Sequence, residues 1–187
     1  MGHPHIALIG RARSGKDTIA ARLASRHAYT RVAFADPLKD MCLSIDPAVA
    51  YELAGYGPLP IRLSVVIERH GWERAKDRIP EVRRTLQRVG QAVRDHEPDH
   101  WLSLALDKVA TADTWNLPVV ISDCRYPNEA EALKNRGFKL VRVVRPEAGR
   151  LAAPHESETA LKDYPADITI ANDGSIADLN SRVDDLI

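Results

Sequence analysis

The fold follows from one stretch near the start of the chain, Ile6-Ala7-Leu8-Ile9-Gly10-Arg11-Ala12-Arg13-Ser14-Gly15-Lys16-Asp17-Thr18. Its first four residues are apolar, which is typical of a buried parallel strand. Residues 19–24 then carry an apolar stripe at helical spacing. Between the strand and the helix, Gly10, Gly15 and Lys16 fit the pattern G-x-x-x-x-G-K of a phosphate-binding loop.

The chemistry of a polyphosphate explains this spacing. A loop that wraps over a helix N-terminus supplies many backbone N–H donors. Gly10 and Gly15 let the backbone turn tightly and come close to the phosphates, and Lys16 adds positive charge for the β- and γ-phosphates. The residues predicted to bind the phosphates in this way are Gly10, Arg11, Ala12, Arg13, Ser14, Gly15, Lys16, Asp17 and Thr18.

Asp17 departs from the common form of this loop, in which Ser or Thr contacts Mg²⁺ at that position. A carboxylate beside a triphosphate is repulsive unless a cation lies between them. Either Asp17 binds the metal, directly or through water, or it is an ordinary first-turn acid and Thr18 holds the metal. We favour the metal role for Asp17 and keep both residues as candidate ligands.

Composition limits the function classes. The formal net charge is zero, which argues against a general nucleic-acid binder. No apolar run reaches the ~18 residues of a membrane span and the start lacks a signal-peptide pattern, so we expect no membrane partner. Cys42 and Cys124 are single and far apart in the sequence, which predicts free thiols in a reduced, cytoplasmic protein.

Five strand patterns alternate with helical patterns along the chain, and Ser175 with Asp178 resembles a capping box before the last helix. We therefore predict an α/β fold of P-loop type, with three αβα layers, a five-stranded parallel sheet and a helical flap. The predicted single domain spans residues 1–187. It has a core at about 1–45 and 114–187, a helical region at about 46–113 and a lid at about 145–156.

One helix in the predicted flap, from Pro80 to about His96, has a polar face of Arg and Gln residues beside its buried face. These side chains suit hydrogen bonding to phosphate and to base edges. The alternative is a solvated, arginine-rich face with no ligand. The residues of this polar face are Arg83, Gln87, Gln91 and Arg94.

Two acids, Asp36 and Asp123, each follow a predicted strand, where residues of a parallel sheet face the ligand crevice. Asp123 is placed to hold Mg²⁺ or to orient an attacking hydroxyl, and Asp36 is placed to contact substrate. Both residues are also good helix N-caps, and for Asp36 the cap would have Pro37 at the first helical position.

A late loop carries Arg145 and Arg150, which we expect to close over a transferred phosphoryl group and exclude water. With the phosphate-binding loop and a second anion site, this is the layout of a kinase for a small acceptor.

Taken together, these motifs resemble the phage-type deoxynucleoside monophosphate kinases, within the wider nucleoside monophosphate kinase group. The resemblance covers nearly the whole chain and implies ATP, Mg²⁺, a dNMP acceptor and a dNDP product. Asp17 matches an Asp of the family. The segments that carry the resemblance are Gly10–Thr18, Phe34–Lys39, Leu86–Gly90, Asp123–Glu129 and His155–Glu158.

The resemblance also implies roles for single residues. Lys16, Asp123, Arg125, Arg145 and Arg150 are the candidate catalytic residues. The resemblance implies that Arg94, Arg125 and Lys39 bind the phosphate of the acceptor. It implies that Gln87, Gln91 and Trp101 contact the base of the acceptor. Asp36 and Asp123 orient the sugar or the metal, and the segment from Asn172 to Gly174 borders adenine.

Two positions depart from the family pattern, in which Thr is common at Gln91 and Phe at Tyr126. Two alternatives stay open: a kinase of another phosphorylated acceptor, of the phosphomevalonate or dephospho-CoA type, and a nucleotide-dependent switch or ATPase. The choice between monomer and homodimer is also open, and the expected location is the cytoplasm, that of the host if the protein is phage-encoded.

Overall fold

The computed structural model describes residues 3–146, 156 and 159–187. Its strands and helices alternate through most of the chain. The strands are β1 (Ile6–Ile9), β2 (Thr30–Val32), β3 (Ala48–Ala54), β4 (Gly57–Arg62), β5 (Val119–Ile121), β6 (Lys139–Val144) and β7 (Ile168–Ala171). The helices are α1 (Lys16–His27), α2 (Ala35–Ile45), α3 (Leu63–Arg78), α4 (Pro80–His96), α5 (His100–Thr114), α6 (Pro127–Asn135) and α7 (Ile176–Asp184).

The described residues divide into two compact units. The sheet unit runs up to Phe34 and resumes at Leu102, and the helical unit comprises Ala35–Trp101. The sequence predicts a helical region at about 46–113, whereas the helical unit begins and ends about eleven residues earlier. Each unit has its own apolar core.

The sheet unit is an α/β fold, as predicted. Five parallel strands form its sheet in the order β2-β5-β1-β6-β7, counted over the described residues. All four residues of β1 are buried, which is why the strand reads as a continuous apolar run rather than as an alternating one. The first strand therefore lies at the centre of the sheet, with β5 on one side and β6 on the other.

Two helices, α1 and α7, cover one face of this sheet. Ile19 and Leu23 of α1 join Leu179 and Val183 of α7 in one core with β1, β5, β6 and β7. The helices are also tied by Asp184, which accepts hydrogen bonds from Arg22 and His27. These bonds, that of Arg22 first, hold the pKa of the Asp184 carboxyl well below its usual range.

The capping box that precedes α7 is confirmed. Ser175 Oγ accepts from Asp178 N at 3.2 Å, and Asp178 Oδ2 accepts from Ser175 N at 2.8 Å. This pair satisfies two donors at the helix start, so the chain after β7 enters α7 in a fixed direction.

The helical unit packs α2, α3 and α4 around a small core that includes Cys42, Val66 and Val82. Helix α3 is interrupted at Gly71, whose φ of +68° is a conformation that glycine adopts without strain. A Cβ at Gly90 of α4 would lie 3.1 Å from Leu38 Cδ2, so the glycine permits the close approach of α2 and α4.

Two features of the helical unit differ from the sequence predictions. Residues 48–62, within the predicted helical region, form the antiparallel hairpin β3–β4, although the prolines and glycines of this stretch are typical of loops. Helix α2 starts at Ala35, so Asp36 lies inside its first turn rather than capping it. The Asp36 carboxylate accepts from Lys39 Nζ at 3.1 Å, one turn along the helix. None of the helices in the described part of the chain is long and apolar enough to cross a membrane.

Asp184 gives a test of the contact between α1 and α7. Its pKa is lowered on folding, so its stabilising effect is present above the pKa of about 4 of an unfolded aspartate and fades as the pH falls further. We expect Asp184→Asn to melt at a lower temperature than the wild type at pH 7, and the difference to shrink below pH ~4. Thermal denaturation followed by circular dichroism measures this, with Asp185→Asn as the exposed, adjacent control. A difference that stays constant with pH would contradict the assignment.

Candidate phosphate site

A cavity of about 350 Å³ lies where the carboxyl ends of β1, β5 and β6 meet. The order of the sheet produces it, because ligands of open parallel sheets bind beyond the carboxyl ends of the strands. Its lining residues come from the loop after β1, a single residue of the segment after β5, the end of β6 with the two residues that follow it, and the segment before β7. They are Gly10, Arg11, Ser14, Cys124, Arg142, Val143, Val144, Arg145, Pro146, Thr159, Leu161 and Lys162.

The charged side chains among the described lining residues are all cationic. Arg11, Arg142, Arg145 and Lys162 bring four cationic side chains to the cavity, and none of its described lining residues carries a carboxylate. A cleft lined by charges of one sign raises the local concentration of ligands of the opposite sign. The cavity is therefore suited to an anion with several negative charges.

The loop from Gly10 to Lys16, here called the phosphate loop, is bent as its glycines predict. Gly10, Arg13 and Gly15 have φ values of +141°, +61° and +107°. A Cβ at Gly10 would lie 2.4 Å from the carbonyl oxygen of Val143, and one at Gly15 would lie 2.5 Å from Asn172 Nδ2. Gly10 is thus required by the backbone of Val143 as well as by its own φ, whereas at Gly15 the positive φ favours glycine and a larger residue would displace the Asn172 side chain.

Lys16 and Ser14 place polar groups inside the phosphate loop. Lys16 is buried, and its ammonium donates to the carbonyls of Gly10 and Arg11, both at 2.8 Å. The hydroxyl of Ser14 is buried and has no hydrogen-bond partner within the described residues. A buried hydroxyl without a partner is costly, so an oxygen of a bound phosphate is a suitable partner for it.

Asn172, which directly follows β7, supports the phosphate loop through a side-chain hydrogen bond. Its backbone N–H donates to Val144 O at 2.7 Å, and its side-chain Nδ2 donates to Ser14 O at 2.8 Å. Arg182 of α7 in turn bonds Ala171 O and Asp173 Oδ1. The segment predicted to border adenine therefore also fixes the shape of the phosphate loop, and its contact with adenine stays a prediction.

The candidate metal ligands, Asp17 and Thr18, lie exposed in the first turn of α1. Over the described residues, no group of three or more His, Cys, Asp or Glu side chains could hold a metal by itself. Mg²⁺ commonly takes one or two protein oxygens and completes its shell with phosphates and waters. Asp17 and Thr18 fit an ion that arrives with a nucleotide, and no contact here decides between them.

Two acidic side chains, Asp123 and Glu129, accept the hydrogen bonds that fix the segment after β5. Asp123 Oδ1 accepts from Phe34 N at 2.9 Å and so ties the ends of β2 and β5 together. Glu129, which is buried, accepts from the N–H of Arg125 at 2.8 Å. Burial, with help from Glu129 and Asp123, raises the pKa of the Cys124 thiol well above its usual range, so this thiol stays protonated and unreactive.

Arg142 was not among the residues singled out in the sequence. It lies within β6, and its guanidinium donates to the carbonyls of Leu161 and Tyr164 while it lines the cavity. The sequence does contain a signal for Arg142, because a charged residue between the apolar residues of a strand needs polar partners in the fold. Arg145, which was predicted, lines the same cavity, whereas Arg150 and most of the predicted lid lie outside the described residues.

Two of the predicted acceptor residues, Asp123 and Arg125, belong to the sheet unit. The other six belong to the helical unit: Asp36, Lys39, Gln87, Gln91, Arg94 and Trp101. Gln91 donates to Asp95 at 2.8 Å, and Arg94 donates to the carbonyl of Pro98 at 3.2 Å. Trp101 is 4% exposed, and its indole N–H donates to Gly90 O at 3.2 Å. That bond holds Trp101 against α4, and the contacts of all six residues with a nucleotide stay predictions.

Comparison with known protein families indicates the class of reaction. A model of the deoxynucleotide monophosphate kinase family matches residues 67–183, which is more than half of the chain. The chain belongs to this family. It is therefore a kinase, and the family implies ATP as its phosphoryl donor. The match begins after the phosphate loop, so the geometry of that loop is separate support for the same chemistry.

Two viral proteins are similar to this member of the deoxynucleotide monophosphate kinase family. A protein of Acanthamoeba polyphaga mimivirus, provisionally named a deoxynucleotide monophosphate kinase, is 26% identical over 95% of this chain and 93% of its own length. An uncharacterised protein of Ictalurid herpesvirus 1 is 35% identical over 56% of this chain. The chain matches about half of that relative, 47% of its length.

Two solved structures are also similar. A protein of Chloroflexus aurantiacus, provisionally described as a kinase, has 12% identity and a TM-score of 0.49, with 100% of both chains covered. A protein of Thermus thermophilus has 18% identity and a TM-score of 0.48, with 98% of this chain and 96% of its own covered. These likenesses are too distant to bear on the substrate.

Gly10 gives a test of the phosphate loop. Gly10→Ala forces a positive φ on alanine and also sets its Cβ against Val143 O. Gly137→Ala is the control, because Gly137 has a φ of +80° and no atom within 4 Å of where the Cβ would lie. This control substitution therefore imposes the backbone strain alone. Gly137→Ala should lose about 1–2 kcal/mol of unfolding free energy and keep wild-type ATP affinity. Gly10→Ala should lose more stability and also weaken ATP binding at least tenfold. Denaturant unfolding and calorimetric titration measure both, and equal behaviour of the two variants would contradict the close approach.

Proposed function

We propose that this kinase transfers the γ-phosphoryl group of ATP to a deoxynucleoside 5′-monophosphate and releases dNDP and ADP. The cavity beyond β1, β5 and β6 carries the proposal, because four cations line it beside the phosphate loop and, among the described residues, no carboxylate lines it and no group hydrogen-bonds to the buried Ser14 hydroxyl. Phosphoryl transfer asks the protein chiefly for positioning and charge stabilisation, which such a lining supplies.

In this proposal the sheet unit holds the donor. The backbone of the phosphate loop and Lys16 hold the β- and γ-phosphates, and Asp17 or Thr18 holds Mg²⁺. When bound, that ion neutralises charge on the phosphates. Arg142 of β6 and Arg145, which directly follows that strand, line the same cavity and are assigned to stabilise the charge that develops on the transferred group. Arg125 follows β5 and is assigned to the acceptor phosphate.

The helical unit is assigned to the acceptor. Arg94 and Gln91 extend from one face of α4, and a guanidinium beside a glutamine amide suits a phosphate and a base edge. A deoxynucleotide acceptor is favoured by the family and by the name of the mimivirus relative. Gln87 and Gln91 each offer a donor and an acceptor, so they are compatible with several bases.

An ADP-release assay tests the proposal. The full chain is incubated with ATP and Mg²⁺ and with each of dAMP, dCMP, dGMP and dTMP, beside their ribose counterparts and a control without acceptor. We expect ADP release that depends on at least one dNMP, together with the matching dNDP by chromatography. Release without any acceptor would indicate an ATPase or switch instead. Phosphomevalonate and dephospho-CoA are assayed in parallel, and release with one of these alone would move the chain to another acceptor class.

Arg94 gives a residue-level test of the acceptor site. Arg94→Ala should raise the KM for the dNMP at least tenfold, because a charge-assisted hydrogen bond of about 1.5–3 kcal/mol is lost, and leave the KM for ATP nearly unchanged. The matched control is Arg88→Ala, on the same helix, where the exposed Arg88 pairs with Glu81 at 3.1 Å. A wild-type KM for the dNMP in Arg94→Ala would remove Arg94 from the acceptor site.

A further inference from the structure

The helical unit contains two tryptophans, and the fold makes different use of them. Trp101 is 4% exposed, and its indole N–H donates to the carbonyl of Gly90 at 3.2 Å. Trp72 of α3 is only half-buried, and no group among the described residues accepts a hydrogen bond from its indole N–H. Tryptophans with an apolar body against protein and a polar tip open to water are enriched at binding surfaces. Trp72 therefore offers ring surface and a donor to a ligand, whereas Trp101 offers little of either.

Part of the Trp72 ring is held by the core of the helical unit. The ring packs against a cluster of buried residues that includes Leu63, Val66 and Val82. Because Trp72 is half-buried, this packing leaves the rest of the side chain uncovered. A ring that the core already holds in place loses little freedom when a ligand stacks on it, so ordering the side chain costs little free energy on binding.

The position of this ring depends on a break in α3 directly before it. Gly71 has a φ of +68° and a ψ of 164°, which are not helical values. A Cβ at Gly71 would meet no described atom within 4 Å, so close packing does not require the glycine. The backbone conformation does require it, because residues with a side chain rarely adopt a positive φ. The break therefore sets the direction from which Trp72 approaches the core.

Two charged side chains of α2 lie near the Trp72 ring. Lys39 Nζ lies over the ring, 6.0 Å from its centroid, which is the outer limit of a cation–π contact. The same ammonium donates to Asp36 Oδ1 at 3.1 Å. The resemblance described above implies that Lys39 binds the phosphate of the acceptor and that Asp36 orients its sugar or the metal. The ring therefore lies beside two groups that are predicted to contact the acceptor.

We propose that the base of the acceptor nucleotide stacks on the ring of Trp72, which thus takes the base contact implied for Trp101. The inference rests on the function proposed above and names the part of the helical unit that holds the base. A base has a flat face that can stack on an indole, and the charged groups of Lys39 and Asp36 match the polar groups of an attached sugar and phosphate. The indole N–H is a further donor for an oxygen of the same ligand.

Stacking on Trp72 determines which acceptors are used. Every base has a π-face, so stacking is tolerant of the identity of the base. Sites that instead read a polar edge of their substrate reject analogues that lack it by ~10⁴ or more. An acceptor site built on Trp72 therefore takes both purine and pyrimidine deoxynucleotides, and it favours purines because their two fused rings offer the larger face.

Steady-state kinetics of Trp72→Leu test the proposal. Leucine keeps an apolar side chain against the core but cannot stack, so the KM for each accepted dNMP should rise between about 5- and 150-fold, and more for purines than for pyrimidines. The KM for ATP should stay nearly unchanged. Trp72→Phe, which keeps a smaller ring, should recover part of the loss. The matched control is Trp115→Leu, at a position 74% exposed in the sheet unit, which should leave every KM unchanged.

A purely structural role for Trp72 gives a different result. Loss of packing would lower the melting temperature and the amount of active enzyme, but it would leave the KM for the dNMP unchanged. A wild-type KM for the dNMP in Trp72→Leu, or a KM for ATP that rises as much as the KM for the dNMP, would overturn the proposal. If no dNMP supports ADP release by the wild type, it is the proposed function that fails, and the inference fails with it.

Fluorescence gives a second measurement that does not depend on turnover. Without ATP, each dNMP that supports ADP release should quench the tryptophan fluorescence of the full chain, because a stacked base lies in contact with the indole. Trp72→Phe should abolish this quenching, and Trp115→Phe should keep it. This comparison holds even if Trp72→Leu does not fold, since phenylalanine is the milder replacement. Quenching that persists in Trp72→Phe would place the base on another tryptophan and refute the assignment.

Discussion

Two points of close approach shape the phosphate site. At Gly10 the backbone passes against the carbonyl of Val143, and at Gly15 it passes against the side chain of Asn172. The phosphate loop is therefore not self-supporting, because its bend is set by β6 and by the segment after β7. That support exists only because the sheet order sets β6 beside β1 and β7 beside β6. The capping box of α7 then fixes the direction in which the segment with Asn172 leaves.

The elements with a clear local signal could be predicted from the sequence. The apolar run of β1, the stripe of α1 and the capping box at Ser175 each depend on residues close together in the chain. The β3–β4 hairpin could not be predicted in this way. Its prolines normally mark loops, and they are tolerated because they occupy positions that face away from the partner strand.

The part of the candidate site whose residues lie close together in the sequence could be predicted. The part whose residues come from separate elements, and meet only in the folded chain, could not. The spacing of Gly10, Gly15 and Lys16 is enough to indicate phosphate. The convergence of Arg142 and Lys162 on the same cavity is a property of the sheet, since these residues lie on β6 and on the segment before β7. For the acceptor, α4 shows a polar face, but the sequence alone does not say which of its side chains the fold leaves available.

The charge distribution connects the site to the choice of ligand. Because the formal net charge of the chain is zero, its net charge does not attract a polyanion from a distance, and at physiological salt the field of a single charge fades over about 8 Å. The four cations of the cavity therefore act only on what enters it. A nucleotide phosphate is small enough to do so, whereas the backbone of a nucleic acid would need a basic surface that extends beyond the cavity. Local concentration of charge in a neutral chain thus favours a small phosphorylated ligand.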